Sequence, residues 1–243
     1  MMSAEEQQPN LTPLNARERR VLGVLIEKQK TTPEYYPLSV AALVTGCNQK
    51  SNRDPVTNYD VDDVEDALHT LRQKGLAILV EGTGRVVRWK HQAYDAFKLR
   101  GRPAEMAVLA ELLLRGPQTE GELRQRASRM DEISDLTALQ GLLTMLSKLG
   151  LAHTVSPPGQ KRGVVIAHGL YPPEEFVRIK ASQSSARAEG HPASEAADTG
   201  SGERSPFTAE LAAIRGELEE LRGVVKALED ELRRLKTGLG ESS

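Results

Sequence analysis

A chain of 243 residues, 39% hydrophobic and 27% charged, has the length of one or two domains and enough apolar side chains for a real core. No run approaches the roughly 18 apolar residues of a membrane span, residues 1–13 carry Glu5 and Glu6 where a secretory signal would be apolar, and the single cysteine, Cys47, excludes an internal disulfide framework. These features predict a cytoplasmic protein with no membrane partner. The net charge of −2 is unevenly spread: residues 12–180 hold 24 cations and 20 anions, whereas residues 181–243 hold 8 and 12. The first part is mildly basic, which suits a polyanionic partner but falls short of the excess usual for a dedicated nucleic-acid domain.

Residues 1–13 read as a disordered tail. A helix follows, opened by a capping box of Asn15 and Glu18 and carrying Val21, Leu22, Leu25 and Ile26. A shorter amphipathic segment covers residues 39–47, and after it comes a polar stretch, residues 48–58, that turn chemistry at Asn48 and Asp54-Pro55 explains in part. The next helix has Asp60 as N-cap, Val64, Leu68 and Leu71 as its buried face, and Gly75 as its stop. The period then drops to two over residues 76–81 and 86–90, a hairpin around Gly82-Thr83-Gly84-Arg85.

This order then repeats. At an offset of 75, Asp60, Val61, Val64, Leu68, Leu71, Gly75, Leu76, Ala77 and Val80 match Asp135, Leu136, Leu139, Leu143, Leu146, Gly150, Leu151, Ala152 and Val155. At an offset of 87, Glu18, Val21, Leu22, Leu25 and Ile26 match Glu105, Val108, Leu109, Leu112 and Leu113, with Pro103 in the first turn of the second copy. The 12-residue difference places an insertion between the first and third helices of the first copy, mostly at residues 48–58. In the second copy a segment at residues 120–130 starts with the capping box Thr119/Glu122, and strands at 151–155 and 164–167 flank Lys161-Arg162. Helix, helix, helix, hairpin is winged-helix order. The predicted fold class is mainly α with small β-hairpins (α+β): winged-helix domains at 14–99 and 100–180, each marginal alone and so packed together.

The runs Glu27-Lys28-Gln29, Thr31-Thr32-Pro33-Glu34, Tyr36-Pro37-Leu38-Ser39 and Cys47-Asn48-Gln49-Lys50-Ser51-Asn52-Arg53-Asp54-Pro55-Val56 resemble the signature of the YceH family of bacterial proteins. Leu112-Leu113-Leu114-Arg115-Gly116-Pro117-Gln118-Thr119 and Gly121-Glu122-Leu123-Arg124 extend the resemblance, which covers about residues 14–171. It implies tandem winged helices, often with a coiled tail, and brings no catalytic residues.

Residues 181–205, rich in Ser, Ala, Glu and Gly without an apolar period, read as a disordered linker. Across 206–240, Leu211, Ile214, Leu218, Leu221, Val225, Leu228, Leu232 and Leu235 alternate spacings of three and four, a heptad seam. With Leu211 at position a, Glu210, Glu217 and Glu231 at g meet Arg215, Arg222 and Lys236 at e of a parallel partner, which predicts self-association as a parallel coiled-coil dimer.

A recognition helix sends its first side chains into a groove walled by phosphates. The third helix of the first copy starts with five acids, Asp60, Asp62, Asp63, Glu65 and Asp66, and would be repelled. The second copy offers the uncharged Thr137, Ala138, Gln140, Gly141 and Thr144. The candidate nucleic-acid contacts are Arg124, Arg126 and Arg129 on the preceding helix, Lys161 and Arg162 on its wing, Arg85, Arg88 and Lys90 on the first wing, and Lys50 and Arg53 in the insertion. Solvated surface charge explains any one of these equally well. The two functional expectations are therefore a dimer contacting duplex DNA through the second domain and the wings, and a scaffold that docks a protein partner on its acidic helix. Catalysis is not expected: His69, His91, His153, His168 and His191 share no ligand spacing, Gly82-Thr83-Gly84 is a hairpin tip, and neither metal nor cofactor is called for.

Overall fold

Helix α1 (Ala16–Thr31) starts where the Asn15 side chain accepts from the Glu18 amide, with Glu18 returning the bond to the Asn15 amide. A 3-10 turn (Pro33–Tyr35) and α2 (Val40–Cys47), capped by Ser39, lead through the insertion to α3 (Val61–Gln73), where Asp60 and Asp63 form a second capping box. Strands β1 (Ala77–Val80) and β2 (Arg88–His91) pair antiparallel, and a short α4 (Ala93–Ala96) ends the first repeat. The second repeat has α5 (Pro103–Arg115), β3 (Gln118–Thr119), α6 (Glu120–Ala127), α7 (Leu136–Lys148), β4 (Ala152–Thr154) and β5 (Val165–His168). A further helix, α8 (Pro173–Glu189), follows. The computed structural model describes residues 11–80, 87–160 and 162–189. The fold is mainly helical with small antiparallel sheets.

The local signals work as read. Gly75 and Gly150 stop α3 and α7 at φ +70° and +72°, a region open to glycine at no steric cost. Each repeat also has a β contact too short to show a period in sequence. In the second, Gln118 and Thr119 pair with Ile166 and Val165, giving the strand order β3-β5-β4. In the first, whose sheet has two strands, Leu38 forms an isolated bridge to Trp89 of β2.

The chain divides into a body ending at His191 and a second unit, Pro192–Ser243. Within the body one apolar cluster runs from Leu14 to Leu170 and is common to both repeats. Its centre is α1 against α5. Residues 18–27 of α1 and 105–114 of α5 are buried all round, the pattern of core helices rather than amphipathic surface ones. The crossing is close because Gly23 of α1 faces Leu114 of α5; a Cβ placed there would lie 3.0 Å from Leu114 Cδ2.

Two boundaries differ from the sequence reading. Leu11 packs against the core, and the Pro13 carbonyl accepts from Lys74 Nζ at 2.9 Å, so the chain is held before residue 14. Helix α8 runs through 181–189, where a disordered linker was expected. Pro173 in its first turn followed by Glu174 and Glu175 is a good helix start, and Ala, Glu, Gln and Arg sustain a helix without any apolar period. The hairpin tip 81–86, the remainder of the linker, and the heptad seam from Leu211 to Leu235 lie outside the described residues.

Candidate functional site

The outer faces of the two third helices differ as the sequence indicates. On α3, Asp62, Glu65 and Asp66 are exposed and enter no ion pair among the described residues, while Asp63 pairs with Arg17 at 2.8 Å. On α7, Leu136, Thr137, Ala138, Gln140, Gly141 and Thr144 are exposed, a face without charge. Gly141 lies in mid-helix with an ordinary helical φ, and a Cβ there would meet nothing within 4 Å. Its presence therefore has no internal packing reason.

The ten candidate cations fall into three groups. Lys50, Arg88, Lys90 and Arg162 are exposed; Arg88 donates to the Pro37 carbonyl at 2.8 Å. Arg85 and Lys161 lie outside the described residues. Arg53 is buried, Arg124 and Arg126 are half-buried and Arg129 is exposed, and all four are bonded to other groups of the protein. Arg124 reaches the Ile133 and Ser134 carbonyls at 3.4 Å, bracing the turn between α6 and α7. Arg126 donates to Gln118 at 2.8 Å and Glu122 at 3.1 Å.

Arg53 is the clearest correction. It is 4% exposed, and its guanidinium grips the Glu27 carboxylate while Nε donates to the Gly46 carbonyl at 2.9 Å. Burial alone would raise the Glu27 pKa, but the hydrogen bond and charge of Arg53, then those of Arg129, outweigh it and hold the group below its ordinary value. Arg129 spans the repeats, donating to Glu27 at 2.5 Å and to Glu111 of α5 at 3.1 Å. Arg115 closes the chain, pairing with Glu111 at 3.1 Å and donating to Asn52 at 2.9 Å.

The insertion is thus mortar between the repeats. The Asn48 side chain accepts from the Tyr59 amide and donates to its carbonyl, and the Asp54 amide donates to the Leu114 carbonyl at 3.1 Å. Arg20 reaches into the same loop, to the Cys47 and Pro55 carbonyls and Thr57 Oγ1. Cys47 is fully buried, and burial pushes its thiol up to about 12, which makes it an inert core residue.

Among the described residues no group of three or more His, Cys, Asp or Glu could hold a metal ion, and no helix is long and apolar enough to cross a membrane. His69 lies edge-on to Trp89, at 6.1 Å between ring centroids. His91 is bound to Gln29 at 2.7 Å and His168 is stacked on Tyr171 at 3.7 Å.

Residues 14–160 match a family described as a protein of unknown function, DUF480. A UPF0502 protein of Rhodopirellula baltica is 47% identical over 190 residues, 76% of this chain and 78% of its own length. UPF0502 proteins of Geotalea daltonii and Koribacter versatilis are 57% and 50% identical over 133 and 147 residues, 55% and 60% of this chain. The chain covers 60% and 68% of those two relatives.

Proposed function

The chain belongs to the UPF0502/DUF480 family, which includes the YceH-like proteins, and on that footing we propose that it is a non-catalytic tandem winged-helix protein that contacts duplex DNA. The observation that carries this reading is the contrast between the two outer helices. The α7 face is uncharged and, at Gly141, free of a side chain, so it can lie in a major groove without repelling phosphates. Arg162, Lys90, Arg88 and Lys50 supply exposed cations, with Arg85 and Lys161 of the hairpin tips added as proposed contacts. Arg53, Arg124, Arg126 and Arg129, already bonded within the protein, are left out. The heptad seam from Leu211 to Leu235 would pair two such bodies in parallel, doubling a weak contact by avidity.

Binding through these cations should be weak, with a salt slope set by about three to six phosphate contacts. Retention on duplex DNA that rises as salt is lowered, with a slope of that size, and is lost with Arg162→Glu, supports the reading. Retention indifferent to salt would overturn it.

A second reading rests on Asp62, Glu65 and Asp66, exposed and without ion partners among the described residues. As a docking face they would suit a basic protein surface, and the dimer would act as a scaffold. Reversing Asp62 and Asp66 to Lys should abolish partner capture here and leave DNA retention unweakened.

A further inference from the structure

Where the two repeats meet, a cavity of about 450 Å³ opens between the start of α1, the insertion, the end of α5 and α8. Its apolar lining comes from Leu113, Pro117, Tyr171 and Ile179, and its charged lining from Arg19, Arg20, Arg115, Asp54 and Glu175, with the Arg19 guanidinium 4.6 Å from the centre of the Tyr171 ring.

These charges do not balance evenly. Arg19 is spent on Glu175, which it grips with both terminal nitrogens at 2.6 and 2.9 Å. Arg115 stands at the end of a chain in which Arg53, Arg129 and Arg115 share two carboxylates, Glu27 and Glu111. That chain keeps one positive charge in excess. Arg20, 3% exposed, makes no ion pair: its bonds go to two carbonyls and a hydroxyl, and Asp54 acts on it only at longer range. A buried cation held only by neutral acceptors is costly and gains most from an anion brought close.

Two N–H groups of the lining residues have no partner. Arg20 Nε–H is buried without a hydrogen-bond partner. His168, 1% exposed, accepts from the Leu170 amide at Nδ1, which leaves the ring proton on Nε2, and that nitrogen too is buried without a partner. Both residues line the cavity. A buried guanidinium without an ion pair, a neighbouring lining histidine with an unpartnered N–H, and apolar lining groups describe a site for a ligand with an oxyanion at one end and an apolar body at the other.

We propose that this cavity binds a small organic oxyanion, a carboxylate or phosphate monoester borne on a ring or branched aliphatic body. The head faces Arg20 and Arg115; the body lies against Leu113 and Tyr171. Because Ser182 and Gln183 of α8 also line the cavity, the bound ligand ties α8 to the joint between the repeats. The site is independent of any nucleic-acid contact.

The test uses the full chain without DNA, titrated calorimetrically with benzoate and phenyl phosphate, with neutral benzamide and inorganic phosphate as controls. Saturable binding of at least one aromatic anion is expected, at least tenfold weaker for inorganic phosphate and absent for benzamide. Arg20→Gln should weaken it tenfold or more. Should that variant fail to fold, Ser182→Trp decides: residue 182 is exposed on α8, so the ring blocks the cavity and leaves the core intact. The proposal fails if neither aromatic anion binds, if benzamide binds equally, or if Ser182→Trp leaves binding unchanged.

Discussion

Arg129 of the second repeat donates to Glu27 of the first at 2.5 Å, across 102 residues of sequence, and the same carboxylate also holds buried Arg53. Glu27 is 2% exposed and is therefore the shared anion of two guanidinium groups that belong to different repeats. Glu27→Gln keeps the shape but leaves both cations short of charge. Such a break in a buried pair costs about 3 to 5 kcal/mol, and urea unfolding should show it. Arg129→Met, whose partner keeps Arg53, should cost less.

The same carboxylate gives an acid-side pH dependence. The folded-state pKa of Glu27 is depressed, so its contribution is whole above the ordinary value of 4.5 and is lost as pH falls through the lower folded value. His91 acts earlier. Burial, with the Lys30 charge, lowers it to about 4 from 6.5, so the unfolded chain takes up a proton first and stability falls between those two values. A gap of that size corresponds to about 3 kcal/mol. His91→Gln should flatten the stability profile between pH 6.5 and 4 and leave the Glu27 limb in place. An unchanged profile would show that His91 titrates normally.

What could be read in the sequence was local. Asn15, Ser39, Asp60, Thr119 and Asp135 cap helices through bonds spanning three residues, and Gly75 and Gly150 stop them, so each signal sits beside its effect. The repeat was legible because Asp60 and Gly75 recur as Asp135 and Gly150 at one offset, with the apolar positions between them. The joint was not. Arg53 and Arg129 are arginines in polar surroundings, as surface arginines are, and only the fold brings Glu27 and Glu111 to them. The insertion looked like an exposed contact loop because its Asn and Arg side chains are polar, yet they answer backbone groups of the seam between repeats. Helix α8 was missed because it follows propensity without periodicity.

Gly23 tests how tightly the repeats are joined. A Cβ would come within 3.0 Å of Leu114 Cγ and Cδ2 and 3.2 Å of Leu113 Cβ, so Leu114 must give way. Gly23→Ala gains about 1 kcal/mol of helix propensity against that crowding and should be close to neutral. Gly23→Leu cannot be absorbed, and overpacking of this kind costs about 1 to 3 kcal/mol. A shared core predicts that both repeats unfold in one transition at lower denaturant. Loss of the second repeat alone would mean that the two are stabilised independently.

Gly141 separates stability from contact. It is exposed in mid-helix, its Cβ would touch nothing, and it lies in α7 where an alanine would be favoured by about 1 kcal/mol. Gly141→Ala should therefore raise the thermal midpoint. If the α7 face enters a groove, the bulkier Gly141→Glu should abolish DNA retention through repulsion while the fold is kept, and alanine should weaken retention despite its stabilising effect. A Gly141→Glu chain that folds and still binds DNA at the original salt dependence would remove α7 from the interface and leave the acidic face of α3 as the surface to pursue.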